Sequence, residues 1–83
     1  MEPTWNYRIV RYRHGRELGL HEVHYDEQGR PWAMTQDPIV FVVEADEGPE
    51  TIVKALEMAM ADARRWPVFD EPADGEWPGK EPG

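Results

Sequence analysis

Two histidines flank a glutamate in the stretch H-E-V-H, residues 21–24, and histidine with carboxylate is a donor set that holds zinc when its members converge. Convergence needs geometry. The zinc-protease pattern places its histidines four apart on one helical face, whereas His21 and His24 are three apart in a segment, G-L-H-E-V-H-Y, that reads as a strand. Alternate strand residues point to opposite faces, so the two rings diverge. Glu22 and His24 do share a face, and His14 joins them if the first two strands pair, which leaves His14, Glu22 and His24 as the alternative metal site. The favoured reading is structural histidines, no metal and no cofactor.

Other chemistry has less to work with. The chain has neither Ser nor Cys, and its non-tyrosine hydroxyls, Thr4, Thr35 and Thr51, lie in no nucleophile frame. Adjacent carboxylates at 26–27, 46–47 and 70–71 fall in expected loops or tail, where solvation leaves them ordinary. Neither G-R-E-L-G nor D-E-G-P is a phosphate-binding loop. No enzyme is expected. One binding surface stands out: Trp5, Tyr7, Arg8, Arg11 and Tyr12 mix aromatic and guanidinium groups as single-stranded nucleic-acid platforms do. With 17 acids against 9 Lys and Arg, those arginines are expected to pair with the chain's own carboxylates, and nucleic-acid binding is the alternative.

The elements that must position these groups follow from periodicity. Thr4–Tyr12 alternates Trp5, Tyr7 and Ile9 with polar residues and forms strand one. His14–Glu17 turns the chain into strand two, and Asp26–Gly29 turns it into strand three, about residues 30–35. Two registers stay open for that hairpin. A four-residue loop puts His21, Val23 and Tyr25 on the face of Trp32, and a three-residue bulged loop puts Leu20, Glu22 and His24 there. Pro38 interrupts the sheet, and Ile39–Val43 is either a fourth strand or the chain crossing back over the core. Pro49 opens a helix whose apolar stripe is Ile52, Leu56, Ala59, Met60 and Ala63, and Trp66-Pro67 closes it. The last 14 residues, rich in Pro, Gly and acids, read as a disordered tail.

Charge is unevenly distributed. The formal net charge is −8, and residues 31–83 carry all of it, since the first 30 balance five Arg against five acids. Such a surface repels phosphate backbones and attracts a basic protein. The expected contacts for that partner are Asp37, Glu44, Asp46 and Glu47, with Trp77 of E-W-P as an apolar anchor. The lack of cysteine favours a reducing cytoplasm. No apolar run spans a membrane, and M-E-P-T-W-N-Y-R lacks the layout of a signal peptide.

The series W-N-Y-R, H-E-V-H-Y-D-E-Q-G-R-P-W, T-Q-D-P, P-E-T-I-V-K-A-L-E and W-P-V resembles a family of short uncharacterised bacterial proteins over residues 4–70. At the level of topology, three strands then a helix also look like the small domain of HicB-type antitoxins, a partial ribonuclease-H-like fold. That resemblance implies neutralisation of a small basic toxin. The F-P-D-L-P-G-type segment usual there is replaced by M-T-Q-D-P-I-V, and no DNA-binding domain is appended.

The expected architecture is α+β: a three- or four-stranded antiparallel sheet packed by one amphipathic helix in residues 1–69, then a flexible acidic tail over 70–83. A two-layer domain leaves a sheet face bare, so homodimerisation through strand one or through that face is expected. The expected function is that of a non-catalytic interaction protein that binds and inhibits a basic partner. A small ligand- or metal-binding module and a single-stranded RNA binder are the alternatives.

Overall fold

The computed structural model describes residues 4–83. Strand β1 (Trp5–Arg11) pairs antiparallel with β2 (Leu18–Tyr25), and β2 pairs antiparallel with β3 (Pro31–Met34). A single 3-10 turn (Ala45–Glu47) leads to helix α1 (Pro49–Arg65), and the two-residue strand β4 (Phe69–Asp70) completes the sheet. The order is β3-β2-β1-β4, with β4 parallel to β1. The fold is thus α+β as expected, but the sheet is mixed. A helical crossover returns the chain in the direction in which β3 ran, and its last strand can only add to β1 in parallel.

The fourth strand is therefore Phe69–Asp70 and not Ile39–Val43. The latter segment is the crossing: the Ile39 amide donates to the Leu20 carbonyl at 2.9 Å, and Phe41 reaches Tyr7 with ring centroids 6.3 Å apart. Inward Ile39, Phe41 and Val43 alternate with exposed Val40 and Val42.

Register divides the sheet into two chemically distinct faces. Asn6, Arg8 and Val10 lie opposite Val23, His21 and Gly19, and Trp5, Tyr7 and Ile9 lie opposite His24, Glu22 and Leu20. The second face receives Phe41 and the helix, whose Asp62 carboxylate accepts the Tyr7 main-chain N–H at 3.1 Å. Of its expected stripe the helix keeps Ile52, Ala59 and Ala63 inward and turns Leu56 and Met60 out. Ala59 is buried and Ala55 and Ala63 are half-buried, while Leu56 and Met60 are 48% and 52% exposed. Alanines spaced four apart let the helix axis approach the sheet closely, and the longer side chains are displaced to its flanks. The helix begins where Gly48 adopts φ 78° before Pro49, and it ends at Trp66, held extended by Pro67.

The first face holds the deepest core, with Val10, Val23 and His21 at most 1% exposed. It is covered by the residues read as a disordered tail. Beyond β4 the Glu71 amide extends the ladder to the Arg11 carbonyl at 3.0 Å, and the Trp77 ring lies 5.7 Å from that of Phe69. The Gly79 amide then donates to the Pro31 carbonyl at 2.8 Å, and the Lys80 amide to Asp26 Oδ2 at 3.2 Å. The tail is a third layer rather than an appendage. Apolar Phe69 and Trp77 give it something to bury, which a composition average conceals.

Candidate functional site

The turn after β2 settles the hairpin register. The Asp26 amide donates to the Arg30 carbonyl at 2.8 Å around the loop Glu27-Gln28-Gly29, and Gly29 takes φ 76°. This is the bulged three-residue loop, with a further irregularity at His24/Tyr25. It places His24 beside Trp32, with ring centroids 6.3 Å apart, on the face opposite His21.

The two histidines have different duties. His21 Nδ1 lies 2.9 Å from the Thr35 carbonyl oxygen and Nε2 lies 2.7 Å from the Tyr12 hydroxyl. A carbonyl only accepts, so Nδ1 carries the proton and Nε2 accepts from Tyr12; His21 is a satisfied core residue. His24 sits 3.8 Å from Glu22, and His14 lies in the β1–β2 turn, 3.6 Å from Glu17. His14, Glu22 and His24 are therefore not brought together, and no group of three metal donors occurs among the described residues.

The nucleic-acid platform is also dispersed. Tyr7 and Arg8 are buried and face opposite ways, and Tyr12 is committed to His21. Arg11 pairs with Asp70 at 3.1 Å, while Arg13 approaches Glu71 at 3.7 Å and Asp74 at 3.6 Å. Burial, with the Glu22 and Asp62 carboxylates adding to it, pushes the Tyr7 phenol above its ordinary pKa. Trp5 is half-buried, edge-on to Tyr7 with centroids 5.2 Å apart. Of the three rings Trp5 and Tyr12 keep part of their surface open, and among the described residues no arginine of the strand lies over either.

Arg8 is the residue that sequence reasoning misjudged most. Its Nε and Nη2 donate to the Pro67 carbonyl at 3.3 and 2.9 Å, and its Nη1 donates to the Tyr25 hydroxyl at 3.0 Å. Tyr25 passes its own proton to Asn6 Oδ1 at 2.7 Å. The guanidinium lies 5.2 Å from the centre of the Phe69 ring and 5.8 Å from that of Trp66. Among the described residues no carboxylate comes within ion-pair distance of it.

A second locus is the loop between the sheet and the helix. Asp37, Glu44, Asp46, Glu47 and Glu50 are all exposed, and none has an ion-pair partner among the described residues. Between them Val40 and Val42 are 77% and 78% exposed. The main-chain groups of residues 40–43 make no backbone–backbone hydrogen bond among the described residues. Trp77, expected to join these acids as an anchor, is instead half-buried against Phe69 on the far face. No described helix is long and apolar enough to cross a membrane.

Comparison of the chain with protein-family models, with curated proteins and with solved structures gives no match.

Proposed function

We propose that the protein is a non-catalytic interaction module that binds a basic protein partner and, by covering its surface, inhibits it. The observation that carries this reading is the segment 37–50, where extended backbone and two outward valines lie between carboxylates that have no counter-ion among the described residues. Extended chain with unspent N–H and C=O groups is what a partner strand adds to. Carboxylates at both ends supply the charge that selects a basic partner and speeds its approach. The analogy with HicB-type antitoxins remains one of element order, and it is consistent with this mode of action.

The outer edge of β3 aside, the sheet has little left to offer a partner. Strand β1 lies between β2 and β4, and the face expected to be bare carries residues 69–79. Self-association, if it accompanies partner binding, would therefore use Val40–Val43 rather than strand one or a sheet face.

The test is capture of basic proteins on the immobilised chain at low ionic strength, then elution in about 1 M salt, where the screening length falls to about 3 Å. A partner that binds through this segment is lost in salt and is lost to the variant carrying Asp37→Asn, Glu44→Gln, Asp46→Asn and Glu47→Gln. Capture unaffected by either change would refute the proposal.

A further inference from the structure

We infer that the cleft between Trp66 and the β2–β3 hairpin binds a small organic monoanion, a carboxylate on a flat apolar body, with Arg8 at its floor. The cleft has a volume of about 670 Å³, within the range of small-molecule sites, which runs from about 300 to 1,000 Å³. Trp5, Tyr25, Pro31 and Trp66 give it aromatic and apolar walls, the turn residues 26–29 line its hairpin side, and Asn6 and Arg8 are its buried polar groups. Arg8 is the one buried Lys or Arg among the described residues, at 9% exposure. Burying a cation without a counter-charge is costly, and a chain with 17 acids and 9 bases had many carboxylates to place against it. None of the described ones comes within ion-pair distance of its guanidinium. An anion entering from solvent completes the charge balance.

The donors are available. A guanidinium has five N–H groups, and the Pro67 carbonyl and the Tyr25 hydroxyl take three of them. Asn6 accepts from Tyr25 through Oδ1, and its amide N–H groups donate to no described residue. Among the described residues no buried side-chain polar atom lacks a partner, so that amide opens to solvent, and the cleft is the space it faces. A fixed guanidinium fork beside an amide donor matches the two oxygens of a carboxylate.

The rim selects for charge. Asp26 and Glu27 line the hairpin side. The Asp26 carboxylate is occupied by the Gln28, Arg30 and Lys80 amides and by the Arg30 side chain, whereas Glu27 has no ion-pair partner among the described residues. A dianion would meet that residual negative field; a monoanion meets less of it. The apolar walls favour a body such as an aromatic ring.

The experiment titrates the full chain with benzoate, with its neutral analogue benzyl alcohol and with inorganic phosphate, following the indole N–H and Arg8 Nε–H resonances. Benzoate is expected to bind saturably, to shift Trp66 and Arg8 Nε–H selectively, and to bind at least tenfold more tightly than benzyl alcohol or phosphate. Arg8→Met should abolish the binding. Because that variant can lose its fold with the Pro67 and Tyr25 contacts, Trp66→Ala serves as the second, since Trp66 is 41% exposed and its ring touches the Arg8 and Arg65 guanidinium groups without a hydrogen bond to them. It should weaken benzoate several-fold with the amide spectrum otherwise retained. Absence of saturable benzoate binding, equal binding of benzyl alcohol, tighter binding of phosphate, or indifference to Trp66→Ala would each overturn the inference.

Discussion

Gly19→Ala tests the polar core most directly. A Cβ built at residue 19 falls 2.8 Å from Tyr12 Cζ and closer still to its hydroxyl oxygen. Tyr12 ends a flexible side chain, so the clash by itself is relieved cheaply. That hydroxyl, however, is the only described partner of His21 Nε2, and His21 is 1% exposed. Moving Tyr12 strands a buried acceptor, which costs about 1–3 kcal/mol, while replacing a strand glycine by alanine returns about 0.5–1 kcal/mol. With some residual overpacking, the expected net loss is about 2 kcal/mol, or a fall in Tm of about 10 °C for a domain of this size. Urea and thermal unfolding of Gly19→Ala, Tyr12→Ala and the double variant separate the causes. In the Tyr12→Ala background, the methyl added at position 19 meets His21 Nε2 at an ordinary contact of 3.4 Å, and the space vacated by the Tyr12 ring lets Nε2 take a water. There Gly19→Ala should be neutral or stabilising by up to about 1 kcal/mol, giving a coupling energy of about 2 kcal/mol. If Gly19→Ala costs the same in both backgrounds, Tyr12 is not what the glycine accommodates, and the account of His21 as a core residue held by Tyr12 is wrong.

Three further outcomes follow from the same geometry. A Cβ on Gly79 would lie 2.5 Å from the Arg30 carbonyl oxygen and 2.9 Å from Asp26 Oδ2; backbone cannot yield as a side chain can, so Gly79→Ala should free the chain end, cost about 1–2 kcal/mol and speed proteolysis after residue 71, and unchanged protease resistance would contradict the docking. The hydrogen bond donated by the Arg30 main-chain N–H, aided by those from the Lys80 and Gln28 amides and by the Arg30 charge, holds the Asp26 carboxyl below its ordinary range. A depressed folded-state pKa adds stability that is present above the unfolded pKa and lost as pH falls through the folded one; Asp26→Asn should therefore flatten the acid limb of the stability–pH curve below about pH 4, and an unaltered limb would rule this out. Val42→Lys, at a site 78% exposed, should change stability by no more than about 0.5 kcal/mol while abolishing any dimer seen by size-exclusion with light scattering.

The parts of this fold legible in the sequence were those governed by period. Alternation in Trp5–Arg11 and Leu18–Tyr25, Gly29 at the bulged turn, and Pro49 with Trp66-Pro67 at the helix ends mark local preferences that the tertiary structure leaves intact. The divergence of His21 and His24 followed from the same alternation. What could not be read were choices made between distant segments. Whether Leu56 or Ala55 faces the sheet depends on how closely the helix can approach, and the hydrophobic stripe ranks the residues by apolarity alone. The Arg8 site joins β1, β2 and the Trp66-Pro67 corner, and nothing near Arg8 in sequence announces it. The one available signal was an arginine on the same strand face as Asn6 and Val10, which a strand with one buried face should not tolerate unpaired.

The tail is the error with the largest functional consequence. Counting Pro, Gly and acids across residues 70–83 treats them as independent, whereas Phe69 and Trp77 are eight residues apart and act together, because β4 fixes one ring where the other can cover it. Once the tail lies over Val10, Val23 and His21, that sheet face is occupied, and the other carries the helix against β1 and Phe41 against Tyr7. Residues 40–43 then hold exposed valines and extended backbone without a cross-strand partner among the described residues. A partner that needs a sheet face or strand β1 must first remove the tail, at the expense of the deepest core; one that adds along residues 40–43 displaces only water. The tail thus acts on recognition by exclusion, and truncation after Pro67 should destabilise the fold and also broaden what the chain binds.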